Sequence, residues 1–338
     1  MIMTDKLTVS IIGAGNIAGG FDEKKSSDSS GIFSHAGAYT KSGKFILKNI
    51  FDVDKQRVEE FKEYWEVENI VSDESDIINT YQDIISICSP DRFHFQTLKN
   101  IILNKSCKTI FVEKPLGLNL SQIKEVYELS LNSDINIVIN FQRHFDSSYD
   151  MVKQMKTDIL TVNAYYIKGL NHIGITMVDT LTMLFGYPDS VYSYNKVFNN
   201  EIKDFTYEFI IFYKDFNITI KTIDKIDYSY HIFDIDILLN NRRIVFTDNG
   251  NSMIEYNLSD YAYSGVNVLS NNPNIHKTQY EMSMLNSVEY LYDITTTKRT
   301  HNINTVLDSY NNHILLDKIQ ESFKKEKKLL LEDKLWKK

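Results

Sequence analysis

A run of small residues follows directly on the first apolar segment of the chain. Residues 7–12 are mostly apolar and β-branched, and residues 13–18 then read Gly-Ala-Gly-Asn-Ile-Ala. Glycines at the first two small positions permit a tight turn and let a pyrophosphate approach bare backbone, and a small third residue permits close helix–strand packing. A following helix would offer its amino-terminal N–H groups to the phosphates. The pattern therefore predicts a dinucleotide-binding turn formed by Gly13, Gly15, Asn16, Ile17 and Ala18.

A carboxylate follows the second apolar run, where it could bind the ribose hydroxyls of such a cofactor. Asp52 comes directly after residues 45–51, further from the glycines than the usual spacing of about 20 residues. A polar segment without periodicity, residues 19–34, accounts for the excess and is predicted to be a loop. No lysine or arginine follows Asp52 before Lys55, so NAD is favoured over NADP, although NADP stays possible.

A lysine beside a carboxylate ends another apolar run. Residues 109–112 lead into Glu113-Lys114-Pro115, and ligands bind at the carboxyl ends of the strands in open α/β sheets. A lysine at that edge could hydrogen-bond a substrate oxygen and stabilise the charge that develops on it. For an isolated Lys-Pro pair, a surface lysine beside a turn proline is the simpler alternative.

Strands and helices alternate through the first 145 residues. Further apolar and amphipathic runs predict strands at 84–88 and 135–141 and helices near 35–39, 55–65, 93–103 and 121–131. Such alternation is typical of a parallel sheet with helices on both faces. We therefore predict an α/β protein in which residues 1–145 form a doubly wound, dinucleotide-binding Rossmann domain.

The pattern changes after residue 150. A helix is predicted over 176–185, strands over 207–213, 216–223, 228–239 and 243–246 with a turn at Asn240-Asn241, and amphipathic helix within 279–331. Consecutive strands joined by short turns indicate an antiparallel sheet. Residues 146–338 are therefore predicted to form an α+β substrate and oligomerisation domain with a mostly antiparallel, open-faced sheet. As an alternative, the C-terminal helices of this domain could pack against the first domain.

The composition restricts the function classes. A formal net charge of −8 over 338 residues disfavours a nucleic-acid binder, and no apolar run approaches the roughly 20 residues of a membrane span. Two cysteines, Cys88 and Cys107, exclude a disulfide framework and favour the reducing cytoplasm. No metal site is predicted, because metal-like spacing to a second ligand is missing for the remaining histidines: His144, His231, His276, His301 and His313.

The motifs together resemble the Gfo/Idh/MocA family of oxidoreductases, the glucose–fructose oxidoreductase and inositol dehydrogenase group. Besides residues 13–18, the matching stretches are Ser89-Pro90-Asp91-Arg92-Phe93-His94, Glu113-Lys114-Pro115-Leu116 and Asn140-Phe141-Gln142-Arg143, and Ser34-His35-Ala36-Gly37-Ala38 is similar to the family's histidine in the first helix. The resemblance covers essentially the whole chain. It implies cofactor contacts from Ser89, Pro90, His94, Glu113, Lys114 and Arg143, and substrate contacts from Lys114 and Arg143.

The chain departs from the family in the substrate helix. The resemblance implies the pattern Asp-x-Gly-x-His-x-x-Asp, with the histidine acting as general acid/base toward a sugar hydroxyl. Residues 172–179 align with it, so Thr176 replaces that histidine and His172 replaces the first aspartate. His172, Thr176 and Asp179 would share a helix face if the helix begins that early. His172 and Thr176 are thus candidate substrate contacts, and Asp179 is a candidate catalytic, orienting carboxylate or a plain buried acceptor.

Three interpretations of the chemistry stay open. His172 could take over the acid/base role, since the pKa of an ordinary histidine lies in the working range. Lys114 could do the proton work, alone or with a water. Alternatively, the protein binds nucleotide and has lost dehydrogenase chemistry.

The expected function is an NAD(P)-dependent oxidoreductase that moves a hydride between the nicotinamide and a carbohydrate-like alcohol or ketone, such as a sugar, cyclitol or nucleotide-sugar. The alternative is a catalytically diverged nucleotide-binding sensor or scaffold. Because an exposed apolar sheet face is costly, the resemblance further implies a homodimer or homotetramer, with no nucleic-acid or membrane partner.

Overall fold

The computed structural model describes residues 6–27, 29–155, 158–224, 231–263, 265–297 and 303–331. The chain divides into two compact units: Met1–Phe145 with Glu281–Tyr310, and Asp146–Tyr280 with Asn311–Lys338. The predicted division into 1–145 and 146–338 has a single boundary, whereas the chain returns to the first unit after residue 280. His301 and the start of the predicted strand at residue 228 lie outside the described residues.

Six parallel strands form the sheet of the first unit: β1 (Leu7–Ile12), β2 (Phe45–Phe51), β3 (Asn69–Ile70), β4 (Gln82–Ile87), β5 (Cys107–Val112) and β6 (Asn136–Ile139). Their order is β3-β2-β1-β4-β5-β6. This is the order of a doubly wound dinucleotide fold, in which the ligand lies where the strand order reverses, beside β1. The prediction of a Rossmann-type sheet is confirmed.

The helices of the first unit are α1 (Phe21–Glu23), α2 (His35–Ser42), α3 (Lys55–Trp65), α4 (Glu74–Ile78), α5 (Asp91–Asn104), α6 (Leu120–Ser130) and α9 (Ser283–Thr296). Side chains cap several of them, as where Ser34 Oγ accepts from the Gly37 N–H and ends the preceding loop. Helix α9 adds Met284, Val288 and Leu291 to the same buried core as Val9 and Ile84 of the sheet. The first unit therefore needs a segment that lies almost 140 residues further along the chain.

The second unit contains a ten-stranded, mostly antiparallel sheet. Its strands are β7 (Ile159–Tyr166), β8 (Ser190–Asn199), β9 (Asp204–Phe212), β10 (Asn217–Thr222), β11 (Phe233–Leu239), β12 (Arg242–Thr247), β13 (Ser252–Asp260), β14 (Asn267–Leu269), β15 (Asn274–Lys277) and β16 (Leu329–Leu330). The order is β14-β13-β12-β11-β7-β10-β9-β8-β16, with β15 on β13. Within this sheet, β7 and β10 are the only two strands that pair in parallel among the described residues. The predicted fold class is confirmed, including the hairpin turn at Asn240-Asn241.

The remaining helices are α7 (Asp150–Lys153), α8 (Ile175–Phe185) and α10 (Val306–Lys325), the last of which crosses from the first unit to the second. Burial alternates along the strands, as in β11, where Phe233, Ile235 and Ile237 are buried and the residues between them are half-buried. One sheet face therefore carries the core of this unit. None of the described helices is both long and apolar enough to span a membrane.

The prediction that residues 19–34 are entirely loop is wrong at its start. A π-helical turn, Asn16–Gly20, continues directly into α1. The buried carboxylate of Asp22 then accepts hydrogen bonds from the backbone N–H groups of Phe33 and Ser34, at 3.1 and 2.9 Å. The inserted segment is thus fastened at its base to the start of α2.

Candidate active site at the carboxyl ends of the parallel strands

The glycine turn after β1 is shaped for close approach. Gly13 has a φ of +100°, and a Cβ there would lie 2.6 Å from the backbone nitrogen of Ser89, so only glycine fits between the ends of β1 and β4. A Cβ on Gly15, by contrast, would meet nothing within 4 Å. Gly15 precedes the π-helical turn, and no side chain caps that turn. Bare backbone therefore borders open space where the sequence predicts a pyrophosphate.

Asp52 directly follows β2, and its carboxylate contacts the glycine turn. Its Oδ2 accepts a hydrogen bond from the Ala14 N–H at 2.7 Å, and its Oδ1 accepts one from the Asp54 N–H at 3.0 Å. Each carboxylate oxygen can accept further hydrogen bonds. The structure thus brings the predicted ribose ligand next to the predicted pyrophosphate turn.

A positively charged side chain near Asp52 is already held by hydrogen bonds to other residues of the protein. The Arg57 guanidinium donates from Nε to the Ala14 carbonyl oxygen at 2.7 Å and from Nη2 to Glu23 Oε1 at 2.6 Å. Trp65 Nε1 donates to the same Glu23 oxygen at 2.8 Å. Since α1 supplies Glu23, the part of the insertion that sequence alone left as loop holds this arginine in place.

The loops after β4 and β5 meet at the same edge of the sheet. Ile87 and Val112 are paired in register, and the Glu113 N–H donates to the Ile87 carbonyl oxygen at 3.0 Å. The buried ring of His94 joins the two loops, with Nε2 2.6 Å from the Ser89 carbonyl oxygen and Nδ1 2.7 Å from the Pro115 carbonyl oxygen. His94 therefore serves as a link between the two motifs.

Two polar atoms at this edge are buried without a hydrogen-bond partner among the described residues. They are Ser89 Oγ and Asn140 Oδ1. Buried polar atoms are normally satisfied, so atoms of this kind beside a ligand edge fit a bound polar group. Together with the open space at Gly15 and the Asp52 carboxylate, they match the donors and acceptors of a dinucleotide.

Glu113 is a buried carboxylate with two side-chain donors. Its Oε1 lies 3.0 Å from His35 Nε2 and accepts from Asn140 Nδ2 at 2.5 Å. Burial opposes ionisation, but the hydrogen bonds and charges of these neighbours and Lys114 outweigh it, and the pKa of Glu113 lies below its ordinary value. Glu113 is therefore ionised at neutral pH.

Lys114 is half-buried at the same edge. Burial lowers its pKa below the ordinary 10.5, and the positive charge of Arg143 acts in the same direction. Glu113 and Asp91 oppose the shift without cancelling it. A lysine with a lowered pKa can exchange a proton near neutral pH more readily than a solvated one. Arg143 is itself buried in a 3₁₀ segment, Gln142–Phe145.

The other predicted site residues belong to the second unit. His172 is exposed in a π-helical segment, Gly169–Gly174, while α8 begins only at Ile175. The π-helical segment leads directly into α8, and the common face of His172, Thr176 and Asp179 stays a prediction; Thr176 is half-buried and Asp179 is buried. Asp179 Oδ1 accepts from Asn312 Nδ2 at 2.9 Å, and Asn312 Oδ1 accepts from Thr182 Oγ1 at 2.9 Å.

Sequence reasoning missed three partners of these residues. Asn140 directly follows β6, as Asp52 follows β2, so the rule that found the carboxylate would also have found the amide. His35 was noted only as similar to a family histidine, and nothing in its spacing connected it with Glu113. Asn312 meets Asp179 from a helix more than 130 residues away, and no local signal indicates that contact.

Comparison with known protein families gives a match to the first unit. Residues 7–141 match the oxidoreductase family GFO_IDH_MocA, described as having an NAD-binding Rossmann fold. Over 110 residues the chain is 32% identical to the myo-inositol 2-dehydrogenase of Thermotoga maritima, a match that covers 32% of this chain. The chain covers 32% of that relative's length, and 40% and 54% of two further curated relatives.

Solved structures match over nearly the whole chain. Levoglucosan dehydrogenase in complex with NADH has a TM-score of 0.78 at 15% identity, covering 96% of this chain and 99% of that one. A super-repressor mutant of Gal80p from Saccharomyces cerevisiae has a TM-score of 0.73 at 14% identity, covering 96% and 97%. At such identities the likeness shows the fold. The predicted family resemblance and cofactor class are confirmed over residues 7–141, which are similar to the Gfo/Idh/MocA family of oxidoreductases and its NAD-binding Rossmann fold.

Proposed function

We propose that this protein is an NAD-dependent dehydrogenase or reductase that acts on the CH–OH or C=O group of a small polyhydroxylated ring. The observation that carries the proposal is the pair Glu113-Lys114. An ionised carboxylate and a lysine of lowered pKa lie at the carboxyl edge of the sheet that also carries the glycine turn. Proton-transfer groups with perturbed pKa values are typical of catalytic sites.

The cofactor would be held by the residues that the geometry gathers at that edge. The turn of residues 13–18 would receive the pyrophosphate, and Asp52 the ribose hydroxyls. Ser89, Pro90 and His94 belong to the loop that would border the nicotinamide half. Because Arg57 is engaged by Glu23 and Ala14, it is poorly placed to neutralise a 2′-phosphate, which favours NAD over NADP.

Lys114 would manage the substrate oxygen. Bound NAD supplies a hydride acceptor, so oxidation of an alcohol breaks the substrate C–H bond, passes its hydride to the nicotinamide, and forms the C=O bond. The hydroxyl proton must leave at the same time, and the neutral Lys114 amine would take it. In the reverse direction, the ammonium form would donate that proton. Arg143 would orient substrate polar groups from the same unit.

The second unit would contribute substrate contacts. We assign His172 and Thr176 to hydrogen bonds with substrate hydroxyls, and Asp179, fixed by Asn312, to the support of α8. His172 is exposed, and a histidine can act as a general base, so it stays the alternative proton acceptor to Lys114.

The chemical class of the substrate follows from the names of related proteins. One relative is a myo-inositol 2-dehydrogenase and one structural neighbour is a levoglucosan dehydrogenase, and both names denote polyhydroxylated rings. We expect a substrate of this kind and a reducing compartment such as the cytoplasm, since Cys88 and Cys107 are buried free thiols.

A second function has one specific observation in its favour. Thr176 stands where the family pattern implies a histidine, and a threonine hydroxyl is not a usable base near neutral pH. A solved structure described as a super-repressor mutant of Gal80p shares the fold. A chain that binds NAD and changes its interactions with other proteins, without turnover, is therefore the alternative.

Titration separates the two functions. We expect the purified protein to bind NADH more tightly than NADPH in a fluorescence titration, and to oxidise at least one member of a panel of cyclitols, anhydrosugars and aldoses. Saturable NADH binding with no turnover on the whole panel favours the sensor function. No affinity for any nicotinamide dinucleotide contradicts both.

A further inference from the structure

A line of buried side chains leads from the core of the first unit to Glu113. Tyr39 Oη lies 2.8 Å from Ser86 Oγ, Ser86 Oγ lies 3.4 Å from His35 Nδ1, and His35 Nε2 lies 3.0 Å from Glu113 Oε1. Tyr39 and His35 belong to α2, one turn apart, and Ser86 belongs to β4. The first three residues are fully buried.

The chemistry of Tyr39 and Glu113, at the two ends of the line, indicates which groups donate the hydrogen bonds. An ionised Glu113 can only accept, so the proton lies on His35 Nε2. The other ring nitrogen, Nδ1, faces the Ser86 hydroxyl, and the Ser86 oxygen accepts from Tyr39. Burial raises the pKa of Tyr39 far above its ordinary value, so the phenol keeps its proton and donates. The links at the two ends of the line, Tyr39 to Ser86 and His35 to Glu113, therefore both donate toward the carboxylate.

Because the far end of this line of side chains is buried, the line is not suited to carry protons to solvent. Tyr39 is fully buried, and its ring packs edge-on against Phe45 with centroids 4.8 Å apart. A proton passed along the line would stop in the core. His35 is in addition held against the ring of Phe111, with centroids 4.5 Å apart. Fixing the carboxylate is the role that such a rigid, closed line can perform.

We propose that Tyr39, Ser86 and His35 are positioning residues that hold the Glu113 carboxylate beside Lys114. The inference rests on the proposed role of Lys114 as the proton-transfer group. The charged groups that act on Lys114 are Glu113, Asp91 and Arg143. If Glu113 is released or becomes protonated, burial and Arg143 act on the lysine with less opposition, and the neutral amine is favoured more strongly.

The test measures the ionisation of Lys114 without turnover. Cyanate carbamylates neutral amines, so the rate of Lys114 carbamylation, followed by mass spectrometry of its peptide across pH, reports the fraction of neutral lysine. We expect the midpoint of this curve to move to lower pH in His35→Leu, and by less in Ser86→Ala, which breaks the line one link earlier. His35→Gln, which keeps a donor that can reach toward Glu113, should restore most of the wild-type midpoint.

His276→Gln is the matched control, since His276 is exposed on β15 in the other unit, and its midpoint should equal that of the wild type. Circular dichroism at each pH confines the comparison to folded protein. An unchanged midpoint in both His35→Leu and Ser86→Ala overturns the inference, as does a Lys114 that resists cyanate at every pH. Neither readout uses NADH or substrate, so absence of NADH binding would contradict the proposed function separately.

Discussion

Burial and the guanidinium of Arg143 lower the pKa of Lys114 below 10.5 even though Glu113 and Asp91 oppose the shift. For a base that must be neutral to accept a proton, activity in the oxidising direction rises as pH rises through that pKa. We therefore expect the rising limb of the kcat profile at a pH below 10.5, with the opposite trend for ketone reduction. A limb that persists unchanged in Lys114→Met would assign it to another group.

Removal of the lysine should separate chemistry from cofactor binding. General acid–base catalysis contributes roughly 10²–10⁴-fold, so Lys114→Met should lower kcat by about that factor and leave the Kd for NADH within a few-fold. Lys99→Met is the control, because its amine pairs with Glu125 on the surface of α5 and α6. Unchanged turnover in Lys114→Met would remove the lysine from the mechanism and leave His172 as the candidate base.

Asp52 should matter for binding rather than for turnover. Hydrogen bonds to charged groups contribute about 1.5–3 kcal/mol, so Asp52→Ala should raise the Kd for NADH by about 10–100-fold. The preference for NADH over NADPH should narrow, because a carboxylate no longer repels the 2′-phosphate. Isothermal titration with both cofactors measures this, with the exposed Glu59→Ala on α3 as control. An unaltered Kd would mean that Asp52 accepts backbone hydrogen bonds, such as that of the Ala14 N–H, and does not bind the cofactor.

At the scale of elements, the π-helical segment that carries His172 is built by its neighbours. The N–H groups of Lys168 and Asn171 donate to Asp224 Oδ2 at 2.9 Å and Asp204 Oδ2 at 2.8 Å. The Gly169 N–H donates to Thr206 Oγ1 at 2.8 Å. Strand β9 and the end of β10 therefore determine where His172 is presented.

Two glycines with similar positive φ provide a test of that packing. Gly169 has a φ of +77°, and a Cβ there would lie 2.6 Å from Asp204 Oδ2, whereas Gly186 has a φ of +82° with nothing within 4 Å. Gly186→Ala carries backbone strain without a clash, about 1–3 kcal/mol because ψ is −173° there. Gly169→Ala adds a clash and should lower the Tm by several degrees more in thermal unfolding. An equal decrease in Tm for the two variants would show that the Asp204 side chain moves aside without a cost in stability.

The longer elements of the first unit could be predicted because each carries a local signal, whereas the short β3 and α4 were missed and α1 was predicted to be loop. Strands β1, β4 and β5 are apolar on both faces, and polar or small residues mark their ends. Strands β7, β8 and β13 were missed because one face of each is polar, as with Thr161 and Asn163 on β7. The contacts of Glu113 with His35 and of Asp179 with Asn312 join distant segments, and a single sequence does not encode them in any local pattern.

At the scale of the whole molecule, the outer face of the second sheet remains partly uncovered. One row across it comprises Tyr192, Ile210, Thr219, Asn163, Asp236, Val245 and Ile254, and each of these side chains is half-buried. The middle of the row is polar and its two ends are apolar, and such a mixture of polar and apolar residues is common in subunit interfaces. We expect this face to pair with a second copy of the chain.

Light scattering tests that pairing. The wild type should have the mass of a dimer or tetramer at micromolar concentration, and Ile210→Glu should shift it toward monomer while leaving NADH affinity within about twofold. Ile275→Glu, at an exposed position on β15, is the control. A monomeric wild type contradicts the expected assembly.

The core of the first unit has a consequence for the order of events during synthesis. Met284, Val288, Leu291 and Ile294 of α9 share that core with the strands of residues 7–139. A ribosome that has released only residues 1–145 presents a core that still lacks the apolar side chains of α9, and domains of this kind fold as units. The nucleotide-binding unit therefore completes its folding only after Ser283–Thr296 has emerged from the ribosome.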